Sequence, residues 1–83
     1  MRSGVPDLFL AAPRGKYHGF FLELKRDKGG VISKEQLELC GELIDQGYCV
    51  NVARGFDDAV RRVTDYLSIP SFGQWIAAGP TQK

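Results

Sequence analysis

Apolar residues cluster in short runs at three places along the chain and recur at helical spacing at two others. Residues 4–12, Gly-Val-Pro-Asp-Leu-Phe-Leu-Ala-Ala, open on a turn-forming glycine and then run apolar, which predicts a strand. Pro6 has no N–H to give a ladder, so it belongs at the start of that strand or on an edge. Pro13-Arg-Gly-Lys-Tyr17 predicts a turn. Residues 18–26, His-Gly-Phe-Phe-Leu-Glu-Leu-Lys-Arg, predict a second strand, and the short turn makes the pair an antiparallel hairpin. Asp27-Lys28-Gly29-Gly30 then breaks the pattern.

Ser33 to Gln46 predicts a helix. Ser33 suits the N-cap, Gln36 completes a capping box, and Leu37, Cys40, Leu43 and Ile44 recur on one face before Gly47 ends the run. Tyr48 to Ala53 predicts a third strand, closed by Arg54-Gly55. A helix between two strands predicts a right-handed crossover and parallel pairing with the second strand. Asp57 is placed to cap a last helix with Ala59, Val60, Val63, Tyr66 and Leu67 on its apolar face. Residues 68–83 read as irregular, with a short helical turn around Phe72 to Ile76. The expected fold is α/β, ordered β-β-α-β-α, with an antiparallel hairpin and a parallel crossover strand.

With 83 residues, the chain is expected to form one domain, with a core at 4–67 and a tail at 68–83. A domain this small buries only about 60% or slightly more of its unfolded surface, which excludes an interdomain cleft or a large barrel. The longest charge-free run, Tyr66 to Gln82, contains prolines, glycines and polar residues and is no membrane span. No secretory leader is visible, so a cytosolic location is expected. The two cysteines, Cys40 and Cys49, make no disulfide framework or zinc site and read as small buried hydrophobes. The net charge of +1 hides an asymmetry: residues 1–34 carry seven Lys/Arg against three acids, and residues 35–67 carry three against seven. A basic half on a near-neutral chain suggests a face for a polyanion, against chance clustering on a solvated surface.

The second strand carries the candidate chemistry. By its two-residue period, Phe20, Leu22 and Leu24 share one face, and Phe21, Glu23 and Lys25 the other. If the hairpin turn centres on Gly15, opposed residues have numbers adding to 30, and Asp7 faces Glu23 on the same side of the sheet. A one-residue slip would separate them unless a bulge restored the register. Opposed carboxylates repel, and a hard divalent cation removes that penalty. The alternative is a surface ion-pair strip of Glu23 with Lys25 or Arg26, worth at most about 1 kcal/mol.

Pro6-Asp7 followed by Glu23-Leu24-Lys25 resembles the PD-(D/E)XK nuclease signature. The longer string resembles the VRR-NUC branch, the virus-type replication-repair nucleases. It comprises Gly4-Val5-Pro6-Asp7-Leu8-Phe9-Leu10, Phe21-Leu22-Glu23-Leu24-Lys25, Ser33-Lys34-Glu35-Gln36 and Gly47-Tyr48-Cys49-Val50. The resemblance covers residues 4–67 and implies a minimal restriction-endonuclease-like core. It implies that Asp7, Glu23 and the Leu24 carbonyl hold Mg²⁺ or Mn²⁺, and that Lys25 positions the attacking water. For Gln36 it implies a place in the site, whereas the capping box accounts for the same residue structurally. By the resemblance, longer members carry an N-terminal helix with a further acid and an additional first strand; here the motif stands almost at the start, so either a minimal form that manages without that acid or a truncated product is expected. An uncovered strand edge and the apolar tail residues Phe72, Trp75 and Ile76 suggest a homodimer, against packing of the tail on its own domain. The resemblance thus implies a structure-selective DNA endonuclease, acting as a dimer on branched DNA such as four-way junctions in a bacterial or phage-infected cell. The alternatives are an inactive DNA-binding or dimerisation module and a plain structural domain. DNA contacts are expected from Arg14, Lys16, Arg26, Lys28, Lys34 and Arg54.

Overall fold

A computed structural model of the chain describes residues 4–26 and 29–71. Two strands, β1 (Leu8–Leu10) and β2 (Phe20–Lys25), lead to a helix, α1 (Lys34–Asp45). A third strand, β3 (Cys49–Arg54), and a second helix, α2 (Phe56–Leu67), follow. The sheet order is β1-β2-β3, with β1 antiparallel and β3 parallel to β2. This is the β-β-α-β-α arrangement expected from the sequence.

The register pairs Leu8 with Leu22, Phe9 with Phe21 and Leu10 with Phe20, so opposed numbers add to 30 as expected. The turn reaches that register by a different route. Its tip pairs Arg14 with Tyr17 around Gly15-Lys16, which alone would set Asp7 against Leu24. The arm from Leu10 to Arg14 is one residue longer than the arm from Tyr17 to Phe20. That extra residue within 11–13 bulges out and returns Asp7 to Glu23. The first strand is shorter than the expected run 4–12, because a proline cannot continue the ladder on its N-terminal side.

Each face of β2 receives one helix. Phe20 and Leu22 point toward α2 and form the buried core with Ala53 and Tyr66, flanked by Leu10, Cys49, Ala59 and Val63. The Phe20 and Tyr66 rings stack at 4.6 Å, and the Tyr66 hydroxyl donates to the Ala12 carbonyl at 2.7 Å, tying the end of α2 to the hairpin. Burial pushes the Tyr66 phenol above its ordinary pKa, and the neighbouring Cys49 adds to the shift.

The opposite face carries Phe21, Glu23 and Lys25 and receives α1 beside β3. The capping box of α1 is formed in both directions between Ser33 and Gln36. Its inward stripe is Gln36, Leu39, Cys40 and Leu43, while Leu37 and Ile44, expected on that face, are exposed. Helical spacing allowed either choice, and the narrow strip of sheet available to α1 selects one.

Asp57 does not cap α2. The position before the helix is Gly55, which makes no side-chain cap, and it is Asp58 that accepts the Arg54 backbone N–H at 2.8 Å. Cys40 and Cys49 are free and only partly buried. No helix among the described residues is long and apolar enough to cross a membrane. Lys28 and the tail residues Phe72, Trp75 and Ile76 lie outside the described residues.

Candidate metal centre and nuclease site

The site forms where the β1–β2 ladder ends. Continuing the register past Leu8 sets Asp7 against Glu23 and Pro6 against Leu24. In a strand, successive residues turn their backbone groups to opposite edges. The Gly19 and Lys25 carbonyls accept from Cys49 and Gly55 on the β3 side. Leu24 therefore aims its N–H and C=O at the β1 edge. There Pro6 has no N–H to offer the Leu24 carbonyl, and the Asp7 carboxylate takes the Leu24 N–H through Oδ2 at 2.8 Å. The proline thus ends the strand and leaves a carbonyl free of ladder bonding beside a carboxylate.

Gly4 brings this segment to α1. Its φ is 90°, and a Cβ there would stand 2.8 Å from the Glu35 carbonyl oxygen. Only glycine lets the Gly4–Asp7 segment lie so close to the helix that carries Gln36.

Glu23 is 5% exposed, the one charged residue in the buried set. Its Oε2 accepts from Gln36 Nε2 at 2.6 Å and lies 3.4 Å from Lys25 Nζ. Its Oε1 is buried without a hydrogen-bond partner among the described residues. Gln36 Oε1 accepts from Lys25 Nζ at 3.0 Å and from the Ser33 N–H at 2.9 Å. Donors on one side and a carboxylate on the other fix which way the amide points. One glutamine therefore serves both readings offered by the sequence: it caps α1 and bonds to Glu23 and Lys25.

A buried carboxylate oxygen with no partner costs about 1–3 kcal/mol or more. Asp7, whose carboxylate accepts the Leu24 N–H, and the Leu24 carbonyl are hard oxygen donors of the same kind, the type Mg²⁺ and Mn²⁺ prefer. The residues present therefore fit a divalent ion. Among the described residues no group of three or more His, Cys, Asp or Glu side chains converges, so any such site here draws on two carboxylates and backbone.

Cys40 lies behind this cluster. Burial pushes its thiol above the ordinary value, and the charge of Glu23 pushes it further, so it stays a protonated thiol at neutral pH. Nothing in the sequence pointed to that proximity beyond the shared helical stripe with Gln36.

The basic residues expected to touch DNA separate into two groups. Arg26, Lys34 and Arg54 stand at the end of the sheet that holds Glu23 and Lys25. Arg54 also donates to the Gly30 carbonyl at 2.7 Å, pinning the loop between β2 and α1. Lys34 lies 4.0 Å from Glu38 on the exposed side of α1. Arg14 and Lys16 stand at the hairpin, roughly 17 Å away by the rise of β2. Arg14 is also tied to the backbone, donating to the Leu67 and Pro13 carbonyls.

Residues 1–57 match the VRR-NUC domain. A solved structure described as a VRR_NUC domain protein is 32% identical, with a TM-score of 0.82 over 86% of this chain and 58% of its own. The chain thus spans a little over half the length of that relative. Comparison with the curated proteins gave no match. The hairpin and the crossover strand accord with the PD-(D/E)XK core, and by the match over most of its length this chain belongs to the VRR-NUC domain family.

Proposed function

We propose that this chain is a divalent-metal-dependent DNA endonuclease that hydrolyses phosphodiester bonds. The observation that carries the reading is Glu23, a buried carboxylate with one oxygen clamped by Gln36 and the other without a partner among the described residues, one residue before the Leu24 N–H that Asp7 accepts. Asp7, Glu23 and the Leu24 carbonyl hold Mg²⁺ or Mn²⁺ in this reading. Such an ion neutralises phosphate charge and acidifies a water at neutral pH. Lys25, fixed by Gln36 and Glu23, presents its ammonium to the attacking water or to charge developing on the phosphate. Gln36 keeps that ammonium and the Glu23 carboxylate in place, so neither needs to reorganise during reaction.

The single domain spans residues 1–83 with its core at 4–67. Arg26, Lys34 and Arg54 contact the backbone near the cut, and Arg14 and Lys16 contact it farther along. The active form is a homodimer on branched DNA such as a four-way junction. Its support is a three-stranded sheet whose outer edges pair with no further strand among the described residues, and an exposed apolar patch of Leu8, Leu24, Phe56 and Val60. A twofold pair sets two sites at fixed spacing, which suits a symmetric substrate.

The test is cleavage of labelled four-way junction, flap and linear duplex DNA with Mg²⁺, Mn²⁺ or EDTA. Metal-dependent nicking that Asp7→Asn and Glu23→Gln both abolish is the expected result. DNA binding without cutting under either metal would instead make the chain an inactive binding module.

A further inference from the structure

We propose that Phe9, Phe21 and Tyr48 form a stacking platform for an unpaired base next to the scissile phosphate, so that the site takes DNA carrying unpaired nucleotides. The proposal rests on the nuclease reading above and adds to it a feature of the substrate.

The three rings lie on the same face of the sheet as Asp7 and Glu23. Phe9 follows Asp7 by two residues on β1, and Phe21 precedes Glu23 by two on β2, so each ring sits about 7 Å along its strand from a carboxylate. Phe9 and Phe21 stack with centroids 4.5 Å apart, and Tyr48 stands edge-on to Phe21 at 5.2 Å. His18 extends the row, edge-on to Tyr48 at 5.7 Å. Phe9 is seated firmly, because its ring passes over Gly19, where a Cβ would come within 2.9 Å of it. Yet Phe9 remains 47% exposed. Phe21 stacks against one side of the ring, which leaves about half of Phe9 accessible to a ligand.

The flanking charges suit a nucleic acid strand. Lys25 stands at the carboxylate end of the row. At the other end, Lys16 lines an open cavity of about 330 Å³ with Tyr17, Ile44, Gly47 and Tyr48. A base stacked on Phe9 would thus have its backbone running from the carboxylates toward Lys16, with cations at both ends. Paired bases cannot use the platform, because their faces are already occupied by their neighbours.

The experiment compares two DNA duplexes, one with a short single-stranded gap carrying 2-aminopurine and one fully paired, with Ca²⁺ in place of Mg²⁺ so that binding is read without cleavage. The wild-type protein should bind the gapped DNA more tightly and quench the 2-aminopurine. Phe9→Leu should weaken binding to gapped DNA about 5- to 150-fold, the range for losing one base–aromatic stack, and leave paired DNA unchanged. Phe9→Trp should keep both the preference and the quenching. Equal loss on both DNAs, or loss in Phe9→Trp as well, would overturn the platform. So would a change in sedimentation mass without a change in DNA preference, which would make the patch a self-association face. If the wild-type protein cuts DNA but Phe9→Leu keeps its preference, only the platform fails. If the wild-type protein neither binds nor cuts any DNA, the nuclease reading fails with it.

Discussion

Phe20 and Leu22 leave β2 toward α2 and enter a core of rings and aliphatic side chains with a single buried hydroxyl, which is satisfied. Phe21, Glu23 and Lys25 leave the same strand toward α1 and enter a mixture of aromatic rings, a carboxylate, an ammonium and an amide. The two faces are one residue apart in sequence and are built for different ends. The α2 face buries apolar area, at about 1.5–3 kcal/mol for each large side chain, and holds the strands together. The α1 face keeps a buried carboxylate with one oxygen unpartnered among the described residues, a local loss of stability that a metal bound as proposed would offset. If that division is right, substitutions on the two faces should separate stability from activity.

The largest effect on activity should come from Glu23→Gln. Replacing the carboxylate by an isosteric amide should lower the cleavage rate by about 10²–10³-fold or more. Its melting temperature in EDTA should stay close to that of the wild type, because relief of the unpartnered buried oxygen offsets the loss of the Lys25 ion pair. Adding Mg²⁺ or Mn²⁺ should raise the melting temperature of the wild type and not of the variant. At a metal concentration about 100 times Kd the linkage is about 2.7 kcal/mol. Calorimetry with and without metal checks this; a Glu23→Gln variant that melts well below the wild type in EDTA would mean the α1 face is structural too.

Leu22→Ala is the counterpart on the other face. Leu22 is 0% exposed, and its truncation should cost about 2–5 kcal/mol. A domain of this length has on the order of 4–12 kcal/mol in total, so the loss takes a large share of it. Urea denaturation measures it. Activity per folded molecule at low temperature should stay within about twofold, since no group at the site is touched; a far larger loss would couple the two faces.

Much of this division was legible in the sequence. The two-residue period of residues 20–25 separated the faces correctly, and the arithmetic of opposed numbers matches the observed pairs Leu8–Leu22, Phe9–Phe21 and Leu10–Phe20. The way the hairpin achieves that register was not legible, because a bulge in Ala11-Ala12-Pro13 changes the count without changing the apolar pattern. The inward stripe of α1 was half legible. Spacing admitted both Leu37–Ile44 and Leu39–Leu43, and the choice depends on where the helix crosses the sheet. Asp57 read as the cap of α2, whereas no side chain caps that helix and Asp58 takes the Arg54 N–H instead, a choice set by the backbone direction at Arg54. The aromatic row on the α1 face depends on Tyr48 and His18 meeting Phe21 across three elements, which no local pattern reveals.

A smaller effect separates the two roles of Gln36. Ser33→Ala removes the cap acceptor and leaves the Gln36 bonds to Glu23 and Lys25 untouched. It should cost about 1 kcal/mol of stability with specific activity unchanged. Gln36→Leu removes the cap partner and both site contacts, so it should lose a similar amount of stability and also roughly tenfold in cleavage rate, by the strength of a hydrogen bond to a charged group. Thermal melts and initial rates on the same preparations decide between them. Equal activity in the two variants would reduce Gln36 to a helix cap.

The smallest effect lies at the rim of the α2 face. Asp58 accepts the Arg54 backbone N–H and the Arg62 guanidinium, and Arg61 lies against it as well. These partners hold its carboxyl below the ordinary carboxylate range, the Arg54 N–H first and the arginine charges after it. A depressed folded value means that the folded chain binds fewer protons than the unfolded chain between the two values. Stability therefore rises with pH through that window. The contribution is fully present above the unfolded value of about 3.9 and is lost as pH falls through the lower folded value. Asp58→Asn should melt slightly below the wild type at neutral pH, and the difference should shrink below pH ~4 and narrow further in high salt, which screens the arginines. Cleavage should be unaffected, because Asp58 supports the corner between β3 and α2 and contributes nothing to the carboxylate cluster. A difference in melting that stayed constant from neutral pH to about pH 2 would mean that the Asp58 side chain acts by shape alone, leaving the charge network at this corner without a role in stability.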